Sequence, residues 1–312
     1  MLKIHLDTDF GGDIDDFCAL AMLLRWSGDI QLTGITTVAE INGKRAGQVK
    51  YVLELEGRND VPVAAGADVS QGFYPYELGL PSEERYWAKS IAPLQTSSDE
   101  AVELLKNSVE QGATIIGIGP LSNLYLLENK YPGILSDARL FLMGGFVSPP
   151  REGYPQWKDE DDFNLQVDAR SAFCVIENCQ PTFVPLTVTT ETALRKKHLK
   201  TLKNAGALGQ LLARQAEAFA NDEKIGEKFG DTCAKLPSDI INFQHDPLTC
   251  AIALGWNDGV EISEVPLKTE LRNGLLDRRI DARGKPTQVV TKINGERFSQ
   301  FWIDTIAGVA QT

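Results

Sequence analysis

The sequence predicts an α/β fold: an open, mostly parallel central sheet with helices on both faces, built as a single domain over residues 1–312. Two observations predict it. Short apolar runs alternate with longer amphipathic ones, the rhythm of repeated β-then-α units. No repeat, low-complexity tract or interdomain linker divides the chain, and its 312 residues suffice for one large core.

Leu2–Leu6 (LKIHL) reads as the first strand and Phe17–Trp26 as a helix packed against it. Ile30–Thr36 is a second strand. Ala46–Glu56 has a helical pattern that stops at Gly57, ahead of a third strand over Val61–Ala64. A helix over Asp99–Val109 leads to a strand over Thr114–Ile118, and Arg139–Met143 is a strand ending at Gly144-Gly145. Ala169–Glu177 is a helix and Thr182–Leu186 a strand. Residues 195–220 read as one long surface helix, and residues 221–243 as a polar, glycine-bearing connection. Residues 70–97 and 145–162 are rich in Gly, Pro, Tyr and charge and read as long loops. Sites in such sheets lie beyond the carboxyl ends of the strands, so both loops are candidate substrate lids.

Asp and Glu number 43 against 31 Lys and Arg, a net charge of −12. That balance lacks the electrostatic footprint of a nucleic-acid or anionic-membrane binder. No run of about 18 apolar residues is present, so no transmembrane helix is expected. The opening MLKIHLDTDF meets acidic residues at once and leaves no room for a signal peptide, so a cytoplasmic protein is expected. Cys18, Cys174, Cys179, Cys233 and Cys250 are too scattered for a disulfide framework or a zinc site.

The most informative segment is Asp7-Thr8-Asp9-Phe10-Gly11-Gly12-Asp13-Ile14-Asp15-Asp16, between a strand end and a helix start. Two carboxylates ~4 Å apart repel by about 4 kcal/mol at an effective dielectric of 20. Such a cluster protonates, splays into water or holds a cation. Oxygen ligands without Cys or clustered His suit a hard ion, Ca²⁺ or Mg²⁺. Helix capping accounts for Asp13, Asp15 or Asp16 singly, but not for Asp7 and Asp9 at the strand end as well. An EF-hand would need Glu twelve positions along, where Cys18 stands. A second acidic position is Asp246, in Phe243-Gln244-His245-Asp246-Pro247-Leu248 before the apolar run Thr249–Trp256. Asp246 as N-cap with Pro247 at the first helical position is an ordinary helix opening, and capping and metal binding are compatible. His245 beside it is a candidate general acid or hydrogen-bond donor. His198 reads as a surface helix residue and His5 as a strand residue. Trp87, Tyr86, Trp157 and Phe229 fall in expected loops, where an aromatic stacks on a base or merely packs.

Taken in order, DTDFGGDIDDFCAL, IGPLSN (118–123), FLMGGF (141–146), DFN (162–164) and HDPL (245–248) resemble the inosine-uridine-preferring nucleoside hydrolases. The flanks agree: GITTV (34–38), GRNDVPV (57–63) followed by AAGA, and GERFSQFWIDTI (295–306). The resemblance implies an open α/β enzyme that binds one Ca²⁺, hydrolyses the N-glycosidic bond of a ribonucleoside, and forms a dimer or tetramer. It implies metal ligands Asp9, Asp16, Asp246 and the backbone carbonyl of Ile118. It also makes Asp9 the base for the metal-activated water, gives Asp15 and Asn164 to the ribose, and has His245 assist the departing base. Asp162 stands where the family has Glu, and Phe229 lies at a plausible distance for stacking on the base.

The pattern departs from the family in several places. Asp13 and Ile14 are extra, and Asp13 competes with Asp15 for a role. The Gly-Asn after the second strand is missing, with Glu40 and Asn42 nearby, and only Gln156 lies near the spacing of another ribose-binding Asn. Two other readings use the same residues. One is a calcium-dependent ribose or nucleoside binder with little turnover. The other is a haloacid-dehalogenase-like phosphatase, which also begins Asp-x-Asp after a strand but wants Thr or Val where Gly11 stands.

Overall fold

The computed structural model describes residues 1–68, 79–87 and 89–309. The chain begins β1 (Leu2–Thr8), α1 (Asp15–Leu24), β2 (Ile30–Thr37), α2 (Lys44–Leu55) and β3 (Val63–Ala65). Then come α3 (Glu83–Tyr86), α4 (Ser98–Glu110), β4 (Thr114–Gly117), α5 (Ser122–Lys130) and β5 (Leu140–Met143). α6 (Phe163–Gln166), α7 (Ala169–Asn178), β6 (Thr182–Val184) and α8 (Leu186–Thr189) follow. The last third holds β7 (Leu194–Arg195), α9 (Leu199–Lys203), α10 (Gly206–Glu223), α11 (Ile225–Phe229), β8 (Ile240–Asn242) and α12 (His245–Ala253). It ends with β9 (Glu261–Arg272), β10 (Leu275–Ile280), β11 (Lys285–Lys292) and α13 (Gly295–Ala307).

Nine strands form the main sheet, in the order β10-β9-β11-β6-β5-β4-β1-β2-β3. Every pair from β3 across to β11 is parallel, and β9 runs antiparallel to both β11 and β10. β1 is buried along most of its length, as an inner parallel strand must be. Successive residues serve opposite faces: Ile116 joins the core under α1, α10, α12 and α13, while Ile115 joins the core under α4, α5 and α7. The expected architecture, with helices on both faces, is the one observed.

Strand order reverses at β1. From there β2 and β3 extend one way, and β4, β5 and β6 the other. The two crossovers diverge from the β1/β4 boundary and leave a crevice at the carboxyl ends, where ligands bind in such sheets. Asp9 follows β1 and Ile118 follows β4 at this point.

Four expectations are corrected. Residues 195–220 are not one surface helix: β7, a 3-10 turn at Lys196–His198, α9 and α10 share them. Gly206, at φ 73°, marks the break before α10. His198 is buried, 4% exposed, and packs its ring against Trp302. Its Nδ1 accepts the Arg195 backbone N–H, so it closes the turn instead of facing water. The connection 221–243 carries α11 and β8. Tyr86 and Trp87 also leave the loop reading: Trp87 stacks on Phe17 in the core, and the Tyr86 hydroxyl donates to Asp222. Residues 70–78 and 88 of the first expected lid lie outside the described residues. No helix among the described residues is long and apolar enough to cross a membrane.

α13 locks α1 in place. The fully buried Trp302 donates its indole N–H to the Cys18 carbonyl at 3.0 Å. Trp302→Ala is expected to cost about 3–5 kcal/mol, seen as a lower urea midpoint at unchanged slope. A loss below ~1 kcal/mol would show that the site relaxes around the missing ring.

Candidate active site

The acidic segment is shaped by its backbone. Gly11 takes φ 95°, and a β-carbon there would lie 2.1 Å from the Gln48 amide oxygen, so no other residue fits without displacing Gln48. Asp13 Oδ1 accepts the backbone N–H groups of Ile14 and Asp15, and the Asn242 amide also donates to it. Ile14 is 1% exposed and plugs the core. The two extra residues thus supply a carboxylate that fixes the turn into α1 and an apolar anchor. Asp13 also lines the crevice, together with Asp15 and Asp16 in the first turn of α1.

Asp15, Asp16 and Asp246 are buried and bring carboxylate oxygens within 4.8 Å of one another. Asp246 arrives from α12. That helix begins at His245 with Gln244 as its cap residue, so Asp246 and Pro247 sit inside the first turn and the expected N-cap role is not observed. Asp9 and Ile118 line the same cavity of about 540 Å³, with Asp15, Asp16 and Asp246. That volume is within the range of small-molecule sites. Asn164 Nδ2 donates to the Ile118 carbonyl at 3.2 Å, which leaves that oxygen a second lone pair. Asp162 caps α6, accepting from Leu165 N–H and Gly145 N–H, and lines the cavity.

Burial raises the Asp16 and Asp15 carboxyls well above the ordinary range, and neighbouring carboxylates add to it, chiefly Asp9 for Asp16 and Asp13 for Asp15. Asp246 is raised in the same way, by burial and then by Asp15 and Asp16. Asp9 is raised by loss of water and held back by the positive charge of Arg45. Arg45, 2% exposed, donates Nη1 to the carbonyls of Asp9 and Phe10 and Nε to that of Ala39. Sequence reasoning missed it, because an Arg in the first turn of α2 carries no local signal. Glu40, one of the residues near the missing Gly-Asn, accepts from Thr37, Ile41, Arg45 and Ala46 and is spent on its own turn.

Part of the cavity lining is aromatic. Phe243, Trp157 and His245 line the cavity, and the Trp157 ring lies 5.2 Å from Phe243 and 5.9 Å from His245. Phe229 packs edge-on behind Trp157 and is not among the cavity-lining residues. Gln156 donates to carbonyls of its own loop. His245 Nδ1 bonds the Thr189 hydroxyl at 2.7 Å, and burial pulls the ring down to about 3, so it is neutral near pH 7. Phe219, Glu223, Ile225 and Asn242 also line the cavity and carried no recognisable motif.

An acidic cluster at a sheet switch point, in a cavity that aromatic side chains also line, invites comparison with known proteins. A sequence profile described as "Inosine-uridine preferring nucleoside hydrolase" matches residues 4–300. The chain belongs to this family. It is accordingly a hydrolase that acts on the N-glycosyl bonds of ribonucleosides. A pyrimidine-specific ribonucleoside hydrolase, RihA, of Citrobacter koseri is 30% identical over 269 residues, covering 80% of this chain and 78% of that protein. An uncharacterized protein of Schizosaccharomyces pombe is 28% identical over 271 residues, with the same coverage. Among solved structures, the purine-preferring ribonucleoside hydrolase from Gardnerella vaginalis superposes with a TM-score of 0.77 at 20% identity, covering 98% of each chain. A plant nucleoside hydrolase gives 0.76 at 18%, covering 98% and 99%. Both share the fold of this nucleoside hydrolase.

The electrostatics make a prediction with a definite sign. Carboxyls whose pKa is raised by folding stabilise the fold below their unfolded value, about 4, and lose that contribution as pH rises through the folded value. The buried histidines, pulled down to about 3 (His5), 4 (His198) and 3 (His245), run the opposite way, losing stability below about 6.5. The overall profile therefore mixes two signs, but the cation-dependent part isolates the carboxylates. A millimolar divalent cation is expected to raise the melting temperature more at about pH 7.5 than at about pH 5, because protons compete for its ligands. Equal shifts at both pH values, measured by calorimetry against a chelator control, would exclude the cluster as the cation site.

Proposed function

We propose that this chain hydrolyses a ribonucleoside to ribose and free base with one Ca²⁺ held at the acidic cluster. The carrying observation is the convergence of Asp15, Asp16 and Asp246 on one wall of a nucleoside-sized cavity, in a chain of the nucleoside hydrolase family. Buried, mutually repelling, oxygen-only donors fit a hard divalent ion. Asp9, Asp16, Asp246 and the Ile118 carbonyl would hold it. When bound, Ca²⁺ supplies positive charge at the cluster and Lewis acidity toward water and sugar oxygens.

The remaining chemistry belongs to side chains. Asp9 takes the proton of the attacking water. Asp15, Asp162 and Asn164 hold the ribose, and the carboxylates stabilise the oxocarbenium character that grows as the base departs. Direct attack without a covalent intermediate inverts the anomeric centre. His245, anchored by Thr189, keeps Nε2 for the leaving base and serves as a neutral hydrogen-bond donor. Trp157 and Phe243 form the stacking surface, with Phe229 as their backing. The relatives' preferences, pyrimidine in one and purine in another, leave the base to be found by assay. The family resemblance also carries the expectation of a homo-oligomer, a dimer or tetramer.

A panel of ribonucleosides with Ca²⁺ tests this reading by release of reducing sugar. Asp9→Asn is expected to lower kcat by about 10²–10⁴, and His245→Gln to lower it less with KM nearly unchanged. No ribose from any riboside at high enzyme concentration overturns the proposal. Tight nucleoside binding without product would instead select the binder reading.

A further inference from the structure

Arg278 lies in β10, away from the cavity lining, and is 3% exposed. Its Nε, Nη1 and Nη2 are all buried without a hydrogen-bond partner. The guanidinium stacks on Phe183, 4.0 Å from the ring centroid. Its backbone N–H donates to Asp159 Oδ2 at 2.7 Å, while Asp159 Oδ1 is buried and unpartnered. A buried cation in this state costs folding free energy, and replacing such charges with apolar side chains is often neutral or stabilising. The fold alone gives no reason for it.

The neighbourhood supplies one. Gly144 and Gly145, at φ 131° and 95°, form a two-residue spacer between Arg278 and Asp162. A β-carbon on Gly144 would lie 3.0 Å from Asp162 Oδ1, and one on Gly145 would lie 2.5 Å from Arg278 Nη1. Gly145 N–H donates to Asp162 Oδ2. The cation therefore backs the turn that grips the carboxylate.

We infer that Arg278 is a positioning residue for substrate binding, keeping Asp162 aimed at the ribose through the Gly144–Gly145 turn. This rests on the nucleoside hydrolase reading of Asp162. The charges agree with it. Burial lowers Arg278 only to about 10, so it stays cationic. Burial raises Asp162 to about 6, against the Gly145 and Leu165 N–H groups and then the Arg278 charge. Asp159, raised by burial to about 7, faces the same cation.

The test is a double-mutant cycle on the full-length protein with Ca²⁺. Arg278→Met is expected to raise KM about tenfold with kcat within about threefold, without lowering the melting temperature. Arg278→Lys keeps the charge and is expected to stay within about threefold of the wild-type KM. In an Asp162→Asn background, Arg278→Met is expected to change KM less than about twofold. Equal KM effects in both backgrounds, an unchanged KM in Arg278→Met, or unfolding of both Arg278 variants would overturn the inference. A wild type that releases no base from any riboside overturns the underlying reading instead, and the inference with it.

Discussion

Like-charge repulsion at one point of the sheet governs the rest of this structure. Asp9, Asp15, Asp16 and Asp246 come from three segments, and the reversal of strand order at β1 aims them into one crevice. The three tightly grouped carboxylates are buried, so little of their charge is met by water and the rest falls to protons, the protein or a cation. The protein meets little of it. The Thr8 hydroxyl donates to Asp16, and Arg45 is the cation that holds Asp9 and Asp16 down. In the proposed reading, a hard divalent ion would meet the remaining deficit.

The scaffold keeps the repelling groups in place by fixing backbone beneath them. Glu40 accepts the N–H groups at the start of α2 and sets the helix that carries Arg45. Arg45 in turn binds the two carbonyls at the tip of the acidic loop. One layer down, Asp7 accepts from Thr36 and Asn123, while His5 bridges Thr36 and Ser108. Every member of that chain lies in β1 or an element packed on it, so the loop is anchored to the stiffest part of the sheet. Buried polar chains of this kind strengthen one another in a low dielectric. Asp7, raised to about 7 by burial, belongs to this layer and not to the crevice.

The sheet and the acidic floor were legible in the sequence because both depend on local pattern. Apolar runs mark the strands, and Asp-rich segments beside glycine mark the loop. What escaped depends on contacts between distant residues. Arg45 serves the loop from 36 positions away from Asp9. Glu40 looks like a substrate contact until its four hydrogen bonds are seen. His198 sits among lysines and reads as a solvent-facing residue, yet it turns inward to close a 3-10 turn against Trp302. The antiparallel β9–β10 hairpin gave no alternation clear enough to call, because its residues are mixed in burial along both strands. Arg278 shares that difficulty: it lies in a charged stretch, Asp277-Arg278-Arg279, of which it alone is fully withdrawn from solvent.

The two ends of the cavity differ in how they are built. The acidic end comes from strand ends and the first turns of α1 and α12, where backbone hydrogen bonds leave little freedom. The aromatic end is assembled from short pieces: α10 stops at Glu223, Lys224 turns the chain at φ 49°, and α11 and β8 follow at once. Phe219, Glu223, Ile225 and Phe243 all come from this stretch. Short elements joined by turns accept substitution and small shifts at lower energetic cost than a parallel sheet does, because fewer buried hydrogen bonds must re-form. In the proposed reading, bond cleavage is therefore assigned to the rigid end and base choice to the adaptable one.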